Sequence, residues 1–262
     1  MSARPLVFIT GASSGLGQAL AARYLAAGWR LALVARRVEA LHAWVSAQGE
    51  SQAIEPDRVA VYGADVRDTA SIIAAAHACL ARQGVPDVVI ANAGISAGVD
   101  LAEAADLEVM RAIFETNNLG LAATFHPFIA PMRERGCGTL VGVASVAGIR
   151  GLPGHAAYTA SKAGVINTCE SLRIELRSRG VKVVTIAPGY IDTPMTRGNP
   201  FTMPFLMSAP AYAERAFRAI EAGVSYRVIP WQMGVLAKLL RLLPDAVLDR
   251  LLAGRGRKPR AA

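Results

Sequence analysis

Short apolar runs rich in β-branched residues recur along the chain and predict the strands of a β-sheet. Segments in which apolar residues recur with helical spacing separate these runs, as at 18–27 and 38–48. Strands that alternate with helices in this order form a parallel sheet with helices on both faces. The pattern therefore predicts an α/β fold with a doubly wound sheet of about seven strands, at 6–10, 30–35, 58–63, 87–91, 139–144, 182–187 and 226–230.

Two short amphipathic helices, separated at Pro244, are predicted within 231–253. We expect them to pack on the domain or on a neighbouring subunit, with peripheral contact to a membrane surface as the alternative. No repeat or flexible linker divides the chain, so a catalytic part, 1–230, and an extension, 231–262, form one domain. The apolar positions with helical spacing in the extension are Leu236, Leu239, Leu240, Leu243, Val247, Leu248, Leu251 and Leu252.

The net charge of +8 is concentrated at one end of the chain. The last 13 of the 262 residues carry five basic groups and no acidic group. Such a tail can bind polyanions or acidic lipid, but a solvated terminus is the commoner case and is what we expect here. The charge pattern therefore does not favour a nucleic-acid partner.

The cysteines and the hydropathy pattern indicate a cytoplasmic protein. Cys79, Cys137 and Cys169 are odd in number and have no paired spacing, which favours a reducing compartment and argues against a metal site. The first predicted strand begins within a few residues of the start, leaving no room for a signal peptide. No run of apolar residues is long enough to span a membrane.

A glycine-rich loop follows the first predicted strand and leads directly into a helix. The loop reads Gly11-Ala-Ser-Ser-Gly15-Leu-Gly17, with Ser13, Ser14 and Leu16 between the glycines. Glycines let the backbone approach a pyrophosphate closely, and the helix N-terminus offers free N–H groups to its charge. Strand, loop and helix together predict a Rossmann-like dinucleotide site.

Arg36 and Arg37 follow the second strand, about 20 residues past the glycine loop, where an NAD-specific site would carry an acidic residue. A carboxylate there would repel a ribose 2′-phosphate, whereas a guanidinium pairs with it. The two arginines therefore favour NADP. The alternative is that both are solvated residues at the start of the helix 38–48.

Tyr158 and Lys162 stand four residues apart, and Ser145 precedes the tyrosine by thirteen. On a helix, positions i and i+4 share a face, so we expect the lysine ammonium to lower the pKa of the phenol. A phenol with a lowered pKa exchanges protons with carbonyl and alcohol oxygens. Taken alone, the pair could also be an ordinary pair of helix residues.

With these motifs in order from residue 5 to about residue 196, the chain resembles the short-chain dehydrogenase/reductase family of compact, single-domain type. The family's cofactor pattern reads here from Thr10 to Gly17. Its further motifs match Asn92-Ala93-Gly94, Asn117 with Gly120, Ser145, Tyr158 with Lys162, and Pro188-Gly189 followed by Thr193.

The resemblance implies a role for each matched residue. Tyr158 would be the general acid or base, Ser145 would position the substrate oxygen, and Lys162 would bind the nicotinamide ribose. Asn117 would order a water that relays protons. Asp65 and Val66 would contact the adenine, while Thr193 and the backbone near Ile191 would hold the carboxamide.

Several of these residues have a structural alternative. Asp65 could instead be a helix cap before Thr69. Asn117 and the adjacent Asn118 could be polar residues inside a helix. His155, three residues before the tyrosine, is interpreted as a residue of the site wall rather than as a base.

The segment 193–208 falls where the family places a mobile lid over the substrate. Its large, soft side chains suit an apolar ketone or acyl group, unless they fill the core or a subunit contact. They are Met195, Phe201, Met203, Phe205, Leu206 and Met207.

Together these features predict an NADP-dependent oxidoreductase that acts on a small-molecule carbonyl or alcohol and, as is usual in the family, forms a dimer or tetramer. One alternative is a nucleotide-sugar epimerase or dehydratase, which is usually longer. Another is an NADP-binding regulatory protein without turnover.

Overall fold

The computed structural model describes residues 4–51, 55, 57–199, 201–254, 256 and 258–260. Its centre is a seven-stranded parallel sheet with strand order β3-β2-β1-β4-β5-β6-β9. The strands are β1 Leu6–Thr10, β2 Arg30–Ala35, β3 Val59–Gly63, β4 Val88–Ala91, β5 Gly138–Val143, β6 Val181–Pro188 and β9 Tyr226–Ile229, with a separate pair formed by β7 Ile191–Asp192 and β8 Met207–Ser208. The predicted doubly wound α/β fold is confirmed.

Helices cover both faces of this sheet. They are α1 Gly15–Ala26, α2 Val38–Ser51, α3 Thr69–Gln83, α4 Asp106–Phe114, α5 Gly120–Arg135, α6 Ala156–Leu176, α7 Ala209–Glu221, α8 Trp231–Leu242 and α9 Asp245–Leu252. A π-helical turn, Glu115–Leu119, joins α4 to α5 without a break.

Alternate residues of β1 supply the cores on the two faces. Val7 and Ile9 belong to the cluster beneath α1 and α7, whereas Leu6 and Phe8 belong to the cluster beneath α3 and α5. All five residues of β1 are buried. A strand enclosed on both faces needs apolar residues at every position, which explains why these runs were recognisable in the sequence.

The predicted element bounds differ from the structure in a few places. Strand ends shift by about one residue, α1 begins at Gly15 rather than at 18, and α2 continues to Ser51 rather than ending at 48. The short pair β7 and β8 lies in the predicted lid, where two-residue strands leave no periodic signal.

The C-terminal helices pack on the domain, but only partly through the residues whose spacing suggested it. Met233, Gly234 and Ala237 form the buried face of α8, and Leu248 is the buried residue of α9. Leu239 and Leu242 are exposed. In the part of the chain that is described, no helix is both long and apolar enough to cross a membrane.

The Phe8–Phe128 contact under the sheet gives a direct test of the packing. The two buried rings lie 4.8 Å apart between centroids. Replacing Phe128 with alanine removes a buried ring from a closed core, so we expect the free energy of unfolding to fall by about 3–5 kcal/mol in chemical denaturation. Leu242→Ala is the matched control, because Leu242 is 80% exposed and should change the free energy by less than about 0.5 kcal/mol. Equal losses in the two variants would contradict the packing described here.

Candidate functional site

The glycine loop between β1 and α1 is shaped by close backbone contacts. Gly11 and Gly15 have φ values of 66° and 57°, a region that favours glycine. A Cβ on Gly17 would lie 2.3 Å from the Gly11 carbonyl oxygen. Asn92, after β4, closes the loop because its Nδ2 donates to the Thr10 carbonyl oxygen at 3.0 Å. Gly17 therefore allows α1 to pack closely against the end of β1.

The first turn of α1 presents its backbone N–H groups to this loop. Ser14 precedes the helix in an extended conformation, and its side chain does not cap these groups. No acidic residue lies in the first turn. Free N–H groups at the positive end of a helix suit a phosphate.

Arg36 and Arg37 lie at the outer end of the site. The Arg36 guanidinium is 62% exposed and lies 3.8 Å from a carboxylate oxygen of Asp65. Arg37 donates to the Ser13 hydroxyl at 3.4 Å, so Arg37 rather than Arg36 is the neighbour of the loop serines.

Asp65 is not a helix cap, so that alternative is wrong. The cap of α3 is Asp68, which accepts a hydrogen bond from the Ser71 backbone N–H at 3.1 Å. Asp65 instead accepts from Arg67 at 2.8 Å, and this contact lowers the pKa of the Asp65 carboxyl.

Ser145, Tyr158 and Lys162 meet at the inner end of the site. Ser145 follows β5, whereas Tyr158 and Lys162 lie on α6, which packs against β6 and β5. The Lys162 ammonium donates to the Val143 carbonyl oxygen at 2.9 Å and lies 5.9 Å from the centroid of the Tyr158 ring.

The expectation that Lys162 lowers the pKa of Tyr158 is wrong for this structure. Burial raises the pKa of the phenol, and hydrogen bonding with Ser145 opposes the rise. Burial also lowers the pKa of Lys162 to about 8. The ammonium is directed at a backbone carbonyl rather than at the phenol oxygen, and loss of hydration dominates at both groups.

Asn117 lies in the π-helical turn and fixes the loop that follows β4. Its amide donates to the Ile95 carbonyl oxygen at 3.1 Å and to the Ser161 hydroxyl at 2.9 Å, and its oxygen accepts from the Ile95 N–H. A Cβ on Gly94 would lie 3.1 Å from the Asn117 oxygen and 3.3 Å from the Lys162 ammonium. Asn117 and Lys162 are therefore neighbours across Gly94.

Asn118 bonds to the backbone of the same residue of α6, since its amide donates to the Ser161 carbonyl oxygen at 2.9 Å. Reading it as a polar residue within the helical segment fits this contact.

One continuous pocket joins the two ends of the site. Its length, glycine-lined floor, helix N-terminus and outer arginines fit a dinucleotide. Among the sequence-predicted residues, Gly17 and Asn117 support the pocket from behind. The others line it: Gly11, Ser13, Ser14, Gly15, Leu16, Arg36, Arg37, Asp65, Val66, Asn92, Ala93, Gly94, Ser145, Tyr158, Lys162, Pro188, Gly189, Ile191 and Thr193.

The predicted lid covers the substrate end incompletely. Met195, Phe205 and Leu206 are each about half exposed, so filling the core is not their role. The ring of Phe201 lies 6.5 Å from that of His155. His155 is not among the residues that line the pocket, so its interpretation as a residue of the site wall stays a prediction; burial lowers its pKa.

The tail segment, formed by residues 258–260, is a part of this region that the sequence does not predict. The Pro259 carbonyl accepts from the Gly98 N–H at 3.1 Å, and Arg260 makes two hydrogen bonds to buried Asp106, at 2.8 and 3.0 Å. Lys258 donates to the Ser96 hydroxyl. The expectation of a solvated terminus is therefore wrong for Lys258, which is half-buried, whereas Pro259 and Arg260 remain exposed although both are hydrogen-bonded to the domain. Their partners lie about 150 positions earlier in the chain, and no local pattern could reveal them.

The sequence and the fold are similar to those of known proteins. Residues 5–202 match the sequence profile of a family described as short chain dehydrogenase. A protein of Myxococcus xanthus named as an uncharacterized oxidoreductase is 40% identical over 242 residues, which cover 92% of this chain and 93% of that one.

Two solved structures share the fold. A short-chain dehydrogenase from Burkholderia cenocepacia in complex with NADP is 27% identical, with a TM-score of 0.79 and coverage of 95% of this chain and 98% of that one. A short-chain dehydrogenase/reductase from Burkholderia phymatum in complex with NAD is 24% identical, with a TM-score of 0.80 and coverage of 99% and 97%.

Lys162 should make the stability of the cofactor-free protein depend on pH. Its folded pKa of about 8 lies below the ordinary value of 10.5, so the folded state disfavours the charged form. This penalty is fully present below pH 8 and is relieved as the pH rises to 10.5. Relative to Lys162→Met, the wild-type free energy of unfolding should rise by up to about 3 kcal/mol across that window. Denaturant titrations of both proteins at several pH values measure this difference, and a difference that stays constant with pH would contradict the buried ammonium.

Proposed function

The chain belongs to the short-chain dehydrogenase family, whose oxidoreductases use a nicotinamide cofactor, and we propose that it is an NADP-dependent reductase of carbonyl compounds. The observation that carries the proposal is the pocket itself. It runs from Arg36 and Arg37 at one end to Ser145, Tyr158 and Lys162 at the other. A ligand long enough to touch both ends is a dinucleotide, and the groups at the inner end suit proton transfer to an oxygen.

Tyr158 is the proposed proton donor. A phenol, with an ordinary pKa of about 10, is protonated at neutral pH, and burial raises the pKa of Tyr158 further. The phenol can therefore give its proton to a carbonyl oxygen as that oxygen gains negative charge. The bound nicotinamide would supply the hydride to the carbonyl carbon. The hydroxyl of Ser145 lies beside the phenol and positions the substrate oxygen.

Lys162 and Asn117 have supporting roles in this proposal. The ammonium of Lys162, protonated below pH 8, lies behind Gly94 where it can hold the ribose of the cofactor. Asn117 fixes the backbone at Ile95 and, as Lys162's neighbour across Gly94, is placed to order a water that returns a proton towards the lysine. Both side chains act through position rather than as proton donors to the substrate.

The choice of NADP rests on the outer end of the pocket. The Arg36 side chain is 62% exposed and makes only a long contact, of 3.8 Å, with Asp65, so it can turn to a ribose 2′-phosphate. Arg37 lies at the glycine loop, where it donates to the Ser13 hydroxyl. Asp65, the nearby acid, is occupied by Arg67. A region with more guanidinium than carboxylate favours the phosphorylated ribose.

Replacing both arginines should remove this preference. We expect Arg36→Ala/Arg37→Ala to weaken NADPH binding by about 10- to 100-fold while changing NADH binding little, because only the 2′-phosphate contacts are lost. Fluorescence titration with each cofactor measures both constants. Lys238→Ala, on the exposed side of α8, controls for loss of surface charge. Tighter binding of NADH than of NADPH by the wild type would refute the choice of cofactor.

Tyr158→Phe tests the proposed acid. Removing the hydroxyl should lower the rate of NADPH-dependent reduction by at least about 100-fold, since a positioned acid contributes about 10²–10⁴-fold. The rate is followed by NADPH absorbance against a panel of ketones, quinones, steroids and acyl thioesters. Cofactor affinity should persist, and Tyr226→Phe, on an exposed residue of β9, serves as the control. Undiminished turnover in Tyr158→Phe would exclude this mechanism.

A further inference from the structure

The tail segment, residues 258–260, is fastened to the substrate end of the site at two points. Gly98 and Arg260 form an isolated parallel bridge, and the Gly98 N–H donates to the Pro259 carbonyl oxygen at 3.1 Å. Arg260 then pairs through two nitrogens with Asp106, the first residue of α4. Asp106 is buried and the Arg260 side chain is 46% exposed, so the pair lies at the domain surface, where its two nitrogen contacts fix the orientation of the guanidinium.

Gly98 is shaped to receive this segment. A Cβ at Gly98 would lie 2.3 Å from the carbonyl oxygen of Lys258 and 2.4 Å from that of Pro259. Only a residue without a side chain permits such an approach. The close approach at Gly98 and the ion pair between Arg260 and Asp106 thus fix the register of the tail segment against Gly98.

That register brings the ammonium of Lys258 beside the proposed proton donor. Its Nζ lies 5.7 Å from the centroid of the Tyr158 ring and donates to the Ser96 hydroxyl. Ser96 directly follows Ile95, which lines the pocket. Lys258 therefore borders the space in which a substrate bound at Tyr158 would lie.

Lys258 is a half-buried cation without an acidic partner among the described residues. Its printed contacts are the Ser96 hydroxyl and the Tyr158 ring, and burial lowers its pKa. The nearby titratable side chain is His155, whose own pKa Lys258 helps to lower. An ammonium that has lost part of its hydration without gaining a carboxylate is unfavourable unless a ligand supplies the counter-charge.

We propose that Lys258 determines substrate specificity by binding a carboxylate carried by a short carbonyl substrate. The carbonyl oxygen would lie at Tyr158 and Ser145, and the carboxylate would lie at Lys258 and Ser96. This inference rests on the proposed reductase function and narrows its substrate class. It also revises the apolar substrate suggested by the lid, since the lid side chains would contact only the carbon chain.

Matched pairs of keto acid and methyl ester test the proposal. Pyruvate, acetoacetate and levulinate vary the distance between carbonyl and carboxylate, and each methyl ester removes the charge while keeping the ketone. In at least one pair, wild-type kcat/KM with NADPH should favour the acid by about tenfold or more, the effect of one charge-assisted contact. Lys258→Met should bring that acid-to-ester ratio close to one, whereas Lys238→Met, at an exposed position of α8, should leave it unchanged.

Releasing the tail segment provides a second test. Arg260→Gln should lower the acid-to-ester ratio in the same direction as Lys258→Met, and Arg260→Lys should partly restore it. A rise in turnover of acid and ester alike in Arg260→Gln would instead show that the tail segment obstructs the site, and would overturn the proposal.

Binding of the keto acid separates this proposal from the reductase function. Calorimetric titration of pyruvate, acetoacetate and levulinate into the protein saturated with NADP+, which has no hydride to deliver, measures binding without turnover, and Lys258→Met should weaken the tightest of these interactions by about tenfold or more. If no compound is reduced but Lys258-dependent binding persists, the reductase function fails and the carboxylate site stands. No preference for any acid, or a preference that survives Lys258→Met, overturns the assignment of Lys258.

Discussion

The contact between the glycine loop and α1 is the constraint on which the site depends. A side chain at Gly17 would collide with the Gly11 carbonyl oxygen, so α1 can begin where it does only because no Cβ is present. Asn92 ties the end of β4 to Thr10 at the same point. The N-terminus of α1, the end of β1 and the end of β4 therefore lie next to one another, and the pocket opens at this edge of the sheet.

A second group of contacts makes the inner end rigid. Ser161 on α6 accepts from Asn117, and its carbonyl accepts from Asn118, so the π-helical turn is joined to the helix that carries Tyr158 and Lys162. Lys162 in turn donates to the last residue of β5. The sheet and the π-helical turn therefore both hold the helix that carries the phenol. Tyr158 and Lys162 are buried in this part of the structure, and the loss of hydration shifts the pKa values of both side chains.

Features that depend on neighbouring residues in the chain could be predicted from the sequence. Features that depend on contacts between distant residues could not. Strands such as β1 are enclosed on both faces, so a continuous run of apolar residues identifies each of them in the sequence. The glycine loop is identified by its motif. The pairing of Arg260 with Asp106 spans 154 positions and left no local trace, so the tail was expected in solvent. Asp65 and Asp68 illustrate a different limit. Either could cap α3, and only the hydrogen bond of Asp68 to Ser71 decides between them. The pKa of Tyr158 was misjudged because spacing shows that a cation is near but not which atom it faces.

The fit at Gly98 also has a consequence for comparing related chains. The tail segment crosses this glycine with its carbonyl oxygens closer than a methyl group would allow. In an alignment of related sequences, glycine here should therefore occur together with a basic C-terminal segment, whereas bulkier residues should accompany tails of other composition. A position distant from Tyr158 in the sequence would then divide the relatives into groups in which different C-terminal segments lie beside the site.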